Sequence, residues 1–236
     1  MLEFAGLPFR GLTLDDVFRQ EQGLAQVVTV NAEYIVLAHR DERLARILSR
    51  AISTFDGQVP YALARLQNPN VRFEKIPGSE LVYHICARAH ARHERVFLLG
   101  GQADSNRESV RKLQTLYPGL HVAGYSPPHA RYPFPAANEA AIAAHLEAFA
   151  PDYLCVGFGA GKQDYWIDDH RKELDAMGVK LAVGVGGSFE MISGKLPRAP
   201  RIVQRMGLEG VYRLLQEPRA FRVRRLLTSL KLFYFV

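Results

Sequence analysis

The chain has 236 residues, of which 48% are hydrophobic and 23% are charged, and its formal net charge is +6. This length suits one α/β domain or two small ones, with enough residues for a substantial core. The two cysteines, Cys86 and Cys155, cannot form a disulfide framework and lie in apolar stretches, which indicates buried reduced thiols of a cytosolic protein. We expect no signal peptide in MLEFAGLPFRG and no membrane span, because no apolar run reaches roughly 20 residues.

The predicted elements alternate between strands and helices. In chain order they are a strand at 26–30, a helix at 32–50, strands at 52–55 and 96–99, a helix at 106–116, a strand at 120–124, a helix at 138–149, a strand at 153–156, a helix at 163–177, a strand at 181–185 and a further helix. This alternation predicts right-handed crossovers and a largely parallel α/β sheet that is covered by helices.

Several glycines and one carboxylate fall where the predicted strands end. Asp56, Gly100, the run at 157–161 and the pair Gly186-Gly187 each follow a strand. Asp-Gly is a common turn dipeptide, so the simplest interpretation of Asp56 is a turn residue. Ligands of parallel sheets bind at the carboxyl ends of the strands, however, so a carboxylate at this position is also a candidate for chemistry. The proline-rich stretch at 125–135 is predicted to be an ordered loop beside this site.

The glycine run VGFGAGKQ at 156–163 resembles two nucleotide-binding motifs and satisfies neither. A P-loop needs four residues between its glycines and a Ser or Thr after the lysine, whereas Gly157 and Gly161 enclose three and Gln163 takes the last place. A dinucleotide fingerprint needs a third glycine where Lys162 stands. The glycines favour phosphate binding, and ordinary strand-to-helix turning explains them as well.

The histidines do not predict a metal site. His84, His90 and His93 lie in a helix that we expect to fray into the charged segment RAHARHER, and no carboxylate or cysteine stands at ligand spacing. His170 is expected on the polar face of its helix. The sequence therefore predicts neither a metal nor a cofactor.

The positive charge is concentrated at the C-terminal end. Residues 201–236 hold eight basic and two acidic side chains, which equals the excess of the whole chain. Apolar side chains follow the arginines; they are Leu226, Leu227, Leu230, Leu232, Phe233 and Phe235. A short helix that is both basic and apolar is typical of a membrane interface, and an ordinary surface helix with a frayed end is the alternative. We predict a core at 1–200 and a basic amphipathic appendage at 201–236.

Seven segments occur in the order found in a known family. They are VTVNAE (28–33), DG (56–57), KIPGSEL (75–81), FLLGG (97–101), VGFGAGKQDYW (156–166), GVGGSFEMISGKLPRAP (184–200) and GLEGVYRLLQEP (207–218). With these segments the chain resembles the WecG/TagA/CpsF glycosyltransferases, glycosyltransferase family 26, over nearly its whole length. The resemblance implies a Rossmann-like core with a C-terminal appendage that docks on the membrane and completes the site.

The resemblance also implies an activity. Such enzymes are metal-independent and inverting, and they move a sugar such as ManNAc, its uronic acid or another hexose from a UDP-sugar to a polyprenyl-diphosphate-linked saccharide. They act at the cytoplasmic membrane face in cell-surface polysaccharide synthesis. The family's base falls on Asp56, with Thr29 and Asn31 as positioning residues. The positions expected to bind substrate are Lys75, Gln163, Gly186, Gly187, Glu190, Arg213 and Arg222.

Some positions depart from the family pattern. Val59 and Pro60 follow the Asp-Gly pair where the family keeps a glycine, so the loop beyond the base is expected to take another path. Lys75 keeps the charge of the family's arginine without its planar fork. The other departures are Glu80 for Asp, Gly161 for Pro, Asp164 for Glu, Gly210 for Trp and Ala220 for Arg.

Three other functions remain as alternatives. A nucleic-acid module would use the basic tail, but it needs interleaved basic and aromatic residues, whereas the aromatic residues here cluster at the end. An oxidoreductase would use a dinucleotide, which the incomplete fingerprint argues against. A family member that binds a sugar nucleotide without turnover is the third. We therefore expect a peripheral enzyme at the inner face of the cytoplasmic membrane, with no nucleic-acid partner. The donor sugar, the acceptor glycan and self-association into homo-oligomers are left open.

Overall fold

The computed structural model describes residues 1–19, 23–197, 199–200, 202–203, 206–216, 218 and 220–236. The strands are β1 (Leu2–Phe4), β2 (Leu7–Phe9), β3 (Ala25–Val30), β4 (Ile52–Phe55), β5 (Arg95–Gly100), β6 (His121–Tyr125), β7 (Tyr153–Gly157) and β8 (Leu181–Gly184). The first two form an antiparallel hairpin, and the other six form one sheet in the order β4-β3-β8-β7-β5-β6. This parallel, helix-flanked sheet confirms the predicted Rossmann-like α/β fold.

The helices lie between the strands as the alternation predicts. They are α1 (Leu14–Phe18), α2 (Ala32–Ala38), α3 (Glu42–Arg50), α4 (Gln58–Gln67), α5 (Gly78–Arg92), α6 (Ala103–Leu116), α7 (Ala136–Phe149), α8 (Lys162–Asp169), α9 (Arg171–Ala176), α10 (Ser188–Ile192), α11 (Glu209–Gln216), α12 (Ala220–Leu230) and a final 3-10 helix (Lys231–Tyr234).

Two helices predicted as continuous are each divided in two. The predicted helix at 32–50 is interrupted because Asp41 caps a new helix, and its Oδ1 accepts a hydrogen bond of 3.1 Å from the Leu44 N–H. The predicted helix at 163–177 is interrupted at His170, whose backbone leaves the helical region with φ −98° and ψ 15°. His170 is therefore a junction residue, and its ring stacks on Trp166 with 4.5 Å between ring centroids.

The expected fraying of the helix that holds His84 is wrong. Helix α5 continues through RAHAR to Arg92, and Ala89 in the middle of that stretch is fully buried. This charged segment therefore has a face that packs on the core. The charged residues around Ala89 had suggested that the segment is fully exposed.

The chain divides into two compact units that are not contiguous in sequence. Unit 1 comprises residues 1–19, 28–77 and 197–236, and unit 2 comprises residues 20–27 and 78–196. The predicted division into a core at 1–200 and an appendage at 201–236 stays a prediction.

The core of unit 1 contains a cluster of aromatic rings around the end of β4. Phe55 stacks on Phe9 with 3.9 Å between centroids and an interplanar angle of 4°, and it packs edge-on against Phe4 at 5.9 Å. Phe73 lies 5.0 Å from Phe55 on another side. The N-terminal hairpin, which the sequence analysis did not predict, thus supplies two rings that fix the last residue of β4.

The last described segment of the chain also packs into unit 1. Leu232 of the 3-10 helix is fully buried, and Phe235 stacks on His39 with 3.9 Å between ring centroids. His39 itself caps the C-terminal end of α2. Within the described residues, no helix combines the length and the apolar character that a membrane span requires.

The core of unit 2 lies between its parallel strands and the helices that cover them. In this unit β5 pairs with β6 and β7, and β7 pairs with β8, all in parallel. The strands are buried along most of their length, as expected for a sheet covered on both faces. Cys86 and Cys155 are buried free thiols, as predicted, and burial raises the pKa of Cys86 to about 12.

The amino ends of these strands carry a network of ion pairs and hydrogen bonds. The Lys180 ammonium lies 2.6 Å from Glu94 Oε1 and 2.9 Å from Asp152 Oδ1. The Tyr153 hydroxyl donates to the other oxygen of Glu94 at 2.7 Å, and the Arg95 N–H donates to Asp152 Oδ2 at 2.8 Å. The network therefore ties three strand starts together through side chains.

Candidate active site

Asp56 follows the last residue of β4 and begins a glycine turn. Its backbone N–H donates to the Val30 carbonyl oxygen at 2.9 Å, which holds the ends of β3 and β4 side by side. Gly57 has a φ of +110°, a conformation that L side chains rarely adopt. The predicted Asp-Gly turn is confirmed, and it places the half-buried Asp56 at the carboxyl end of a strand.

Asn31 and Thr29 lie beside this turn. Asn31 is the N-cap of α2, and its side-chain oxygen accepts a hydrogen bond of 3.2 Å from the Tyr34 N–H. A Cβ atom on Gly57 would lie 3.7 Å from the Asn31 Cβ, so the cap and the turn are in contact. Thr29 lies two residues earlier in β3 and is 4% exposed. Unit 1 therefore brings the three predicted catalytic residues to the ends of two neighbouring strands.

The segment after the Asp-Gly turn is not the loop that the sequence analysis expected. Helix α4 begins at Gln58, directly after Gly57, and Val59 and Pro60 lie in its first turn. Proline is tolerated there because the first N–H groups of a helix have no intrahelical partner. Val59 and Pro60, which depart from the family pattern, thus lie in the first turn of a helix.

Lys75 lies on the other side of β4. It forms an isolated parallel bridge with Phe55, and its ammonium donates to Gln58 Oε1 at 3.2 Å. The next residue donates its N–H to the Phe55 carbonyl oxygen at 2.8 Å. The Lys75 side chain therefore flanks the turn that carries Asp56, and a cation is present at this strand end.

Unit 2 contains three glycine turns at the carboxyl ends of β5, β7 and β8. The Gly101 N–H donates to the Gly157 carbonyl oxygen at 3.0 Å, which joins the first two turns. Both glycines lie against the buried ring of Phe189, because a Cβ on either would come within 2.8 Å of a ring carbon. A Cβ on Gly157 would also lie 3.0 Å from the Gly186 carbonyl oxygen of the third turn. Glycine is thus required by close packing at these positions.

Gln163 lies behind two of these turns. Its side-chain oxygen accepts hydrogen bonds from the Gly159 N–H at 3.2 Å and from the Gly186 N–H at 3.0 Å. The residue is 2% exposed, although the sequence analysis placed it among residues that contact substrate. Gly187, also predicted to bind substrate, is the N-cap of α10.

Two departures from the family pattern are neighbours and bond to each other. Gly161 has a φ of +78° and is the N-cap of α8, and its N–H donates to Asp164 Oδ2 at 3.2 Å. Asp164 is fully buried. A proline at 161 would lack this N–H, so the glycine and the aspartate together form a cap that a proline does not allow.

Glu190 is joined to a residue that the sequence analysis missed. Its Oε1 accepts a hydrogen bond of 3.2 Å from the Gln102 N–H, at the start of α6. The Gln102 side chain in turn accepts a hydrogen bond of 2.5 Å from the Lys195 ammonium. The position of Gln102 directly after Gly100-Gly101 is the sequence signal that identifies it, whereas Lys195 has no such signal.

The remaining predicted residues belong to the C-terminal helices. The backbone of Arg213 lies in α11 and that of Arg222 in α12, and the side chains of both lie outside the described part of the structure. Among the described residues, no group of three or more histidine, cysteine or carboxylate side chains is arranged to hold a metal ion. His84, His90 and His93 are exposed on or beside α5.

A parallel sheet that is flanked by helices and has glycine turns at its strand ends defines a Rossmann-like α/β protein. The particular group follows from comparison with known proteins: the glycosyl transferase WecG/TagA/CpsF family model matches residues 2–236. The chain belongs to this family, which confirms the resemblance, and the protein is a glycosyltransferase. The dinucleotide-dependent oxidoreductase alternative is therefore set aside.

Several curated proteins are similar to this chain. A protein of Staphylococcus aureus strain MRSA252 is 31% identical over 191 residues, which is 80% of this chain and 71% of that protein. A protein of strain MW2 is 30% identical over 193 residues, which is 81% of this chain and 72% of that protein. Both are named N-acetylglucosaminyldiphosphoundecaprenol N-acetyl-beta-D-mannosaminyltransferase.

Proposed function

We propose that this protein transfers N-acetylmannosamine from a UDP-sugar to a polyprenyl-diphosphate-linked N-acetylglucosamine, in the synthesis of a cell-surface polysaccharide. The observation that carries this proposal is the family match over residues 2–236, together with the name shared by the two relatives. The placement of Asp56, Asn31 and Thr29 at the ends of β3 and β4 supports it, since a transferase needs a positioned base.

The proposed reaction is a single displacement with inversion at the anomeric carbon. The acceptor hydroxyl loses its proton to the Asp56 carboxylate as its oxygen forms a bond with the anomeric carbon of the donor. The bond between that carbon and the UDP oxygen breaks, and UDP leaves with the electron pair. The half-buried Asn31 orients the sugar or the acceptor, Thr29 helps to position it from its buried place in β3, and no covalent enzyme intermediate forms.

The rigidity of the Asp56 backbone supports its role as a base. A general base must lie within hydrogen-bond reach of the proton it takes, so its position has to be fixed before the substrate arrives. The stacked rings of Phe9 and Phe55 and the hydrogen bond to the Val30 carbonyl oxygen fix the end of β4. The glycine turn that follows fixes the backbone from which the Asp56 carboxylate projects.

Donor binding is assigned to the glycine turns and to cationic side chains. The Gly186-Gly187 turn, in which Gly187 is exposed, is proposed to hold the nucleotide near Glu190. Lys75, Arg213 and Arg222 are proposed to meet the charge of the diphosphates, which allows transfer without a metal ion. Transfer that proceeds at the same rate with and without a chelator is the expected result.

Peripheral binding to the inner face of the cytoplasmic membrane completes the proposal. The C-terminal helices expose several large apolar side chains, which are Leu215, Val223, Leu227, Leu230, Phe233 and Tyr234. The same segment carries the whole positive excess of the chain, so its charge suits anionic headgroups while its apolar side chains suit the interface.

The substitution Asp56→Asn tests the base. It keeps the size and most hydrogen bonds but removes proton acceptance, so kcat should fall by about 10²- to 10⁴-fold while UDP binds as before. The measurement is product formation by mass spectrometry with a short-chain polyprenyl-diphosphate acceptor and a panel of UDP-sugars, with calorimetry for UDP. Asp41→Asn is the matched control, because asparagine also caps α3. Normal turnover by Asp56→Asn would show that Asp56 is not the base. If the wild type bound UDP but formed no product, the proposed transferase activity would be wrong.

Liposome flotation tests the membrane surface. Phe233→Glu and Leu227→Glu in the full chain should weaken binding to anionic vesicles, because each places a negative charge among the exposed apolar side chains. Leu66→Glu is the control, since Leu66 is 79% exposed on α4 of the same unit. Equal flotation of all three variants and the wild type would show that this segment does not bind lipid.

A further inference from the structure

We infer that Gln163 is a positioning residue whose carboxamide clamps the glycine turn after β7 to the glycine turn after β8. The inference rests on the proposed function, in that these turns are where the donor nucleotide is proposed to bind. It differs from that function in assigning to Gln163 no contact with the substrate. Gln163 acts instead through the backbone that it holds.

The hydrogen bonds of Gln163 are those of a clamp. One side-chain oxygen accepts from the Gly159 N–H at 3.2 Å and from the Gly186 N–H at 3.0 Å, so both turns are bonded to a single atom. The two donors lie 27 residues apart in sequence but follow strands that are direct neighbours. At 2% exposure the side chain is enclosed by protein, which leaves little surface for a ligand.

The neighbouring strand is shaped to accept this side chain. A Cβ atom on Gly184, the last residue of β8, would lie 2.8 Å from both Cγ and Cδ of Gln163. Real Cβ atoms do not approach so closely, so the glutamine lies directly on the backbone of β8. Glycine at 184 therefore makes room for the clamp.

Both turns have open space beside the glycine Cα atoms. Gly159 and Gly186 have φ values of +91° and +52°, and among the described residues beyond their chain neighbours no heavy atom lies within 4 Å of a Cβ built on either. Both positions thus need glycine for the backbone conformation and not for packing. A ligand is able to approach the turn backbone from this open side while Gln163 fixes it from the buried side. Backbone that is already ordered in this way binds a diphosphate without a further loss of conformational entropy.

The experiment compares Gln163→Ala with Gln26→Ala in the full chain. Gln26 is a second buried glutamine of unit 2, at 3% exposure, and its amide donates to the Asp164 carbonyl oxygen at 3.1 Å. Gln26→Ala likewise removes a buried carboxamide beside α8, but it leaves the hydrogen bonds between Gln163 and the two turns in place. The readouts are hydrogen exchange of ¹⁵N-labelled glycine amides, the Kd for UDP, and KM and kcat for the donor.

Gln163→Ala should raise the exchange rates of the Gly159 and Gly186 amides by about tenfold or more, because both lose their acceptor. It should raise the Kd for UDP and the donor KM by about tenfold, with a smaller change in kcat. Gln26→Ala should leave these amides and the Kd for UDP within about twofold of the wild type, even if its melting temperature falls equally. Unchanged exchange in Gln163→Ala, or equal effects of both substitutions on UDP, would overturn the clamp.

The substitution Gly184→Ala provides an independent arm, because its Cβ displaces the Gln163 side chain without removing it. Gly184→Ala should weaken UDP binding as Gln163→Ala does, and the double variant should bind no more weakly than Gln163→Ala alone. Additive effects would contradict the clamp. The exchange measurement needs no ligand, so failure of the wild type to bind UDP would overturn the proposed function and not the clamp.

Discussion

The two ends of the strands in unit 2 are built in opposite ways. At the amino ends, Lys180 joins Glu94 and Asp152, so charged side chains pair with each other and connect the strands. At the carboxyl ends, glycines connect the strands through backbone atoms, and the buried side chain of Gln163 joins two of the turns through one atom. At the amino ends the charged side chains are paired with one another, whereas at the carboxyl ends the backbone of the turns is proposed to bind a ligand.

The amino ends should therefore accept substitutions without loss of activity, whereas the carboxyl ends should not. The side-chain network lies at the end of the strands away from the proposed donor turns, so its removal should affect folding alone. A turn that is held by close packing and is also a binding surface should lose folding stability and binding together.

Gly157→Ala should damage the carboxyl end most. The new Cβ would lie 2.8 Å from a ring carbon of Phe189 and 3.0 Å from the Gly186 carbonyl oxygen, so the unfolding free energy should fall by about 1–3 kcal/mol. UDP binding should weaken by at least about tenfold, because two turns move apart. Gly178→Ala is the control: its φ is +82°, but no neighbour lies within 4 Å in the described structure, so it should cost only about 1 kcal/mol and leave UDP binding unchanged. Normal binding of UDP by Gly157→Ala would contradict the binding role of these turns.

Lys180→Met should affect the amino end alone. Glu94 and Asp152 lose their shared cation, and since Lys180 is 38% exposed the cost should be about 1 kcal/mol in urea unfolding. The kcat/KM for transfer should not change. Arg107→Met removes a fully solvated pair with Asp104 and should change stability by less than about 0.5 kcal/mol. A drop in kcat/KM for Lys180→Met would show that the two ends are coupled.

The acid stability of the protein should depend on the same network. Burial raises the pKa of Asp152, but hydrogen bonds from Lys180 and from the Arg95 N–H, with the charge of Lys180, outweigh burial and lower the pKa below 3.8. A carboxyl group with a lowered pKa contributes stability above its unfolded value and loses it as the pH falls through the folded value. The free energy of unfolding, measured with urea, should therefore fall more steeply between about pH 5 and pH 2 for the wild type than for Lys180→Met. Parallel curves would exclude this role of the ion pair.

Lys195→Ala should have the smallest effect. Its ammonium donates to the Gln102 side chain beside Glu190, on the surface of the carboxyl end. Loss of one exposed contact should raise the donor KM by about two- to threefold and leave the melting temperature unchanged. An equal change in Lys112→Ala, whose ammonium donates to the Ser193 carbonyl oxygen, would show only that positive charge in this region matters.

The strand ends were predictable because their causes are local. Apolar runs such as 52–55 and 153–156 stop at glycine or aspartate, and the observed strands end within one residue of the predicted ends. The Asp-Gly turn could be located for the same reason, since the dipeptide itself favours a positive φ at Gly57.

The missed features depend on contacts between distant parts of the chain. The N-terminal hairpin is held by Phe4 and Phe9 against Phe55, which lies some fifty residues away in sequence. The burial of Gln163 depends on Gly184 in the neighbouring strand, and nothing in the residues around Gln163 reveals this. Helix breaks at Asp41 and His170 were missed because the apolar spacing continues across both positions.

The Phe189 ring has an evolutionary consequence, because it lies against two turns at once. Gly157 has an ordinary φ, so contacts such as those with the ring and the nearby carbonyl oxygen exclude a larger residue, and a smaller side chain at 189 would remove the closest of these contacts. Gly101 has a φ of +70° and would remain restricted after such a change. Among related sequences, position 157 should therefore vary together with position 189, whereas position 101 should stay glycine whatever occupies 189.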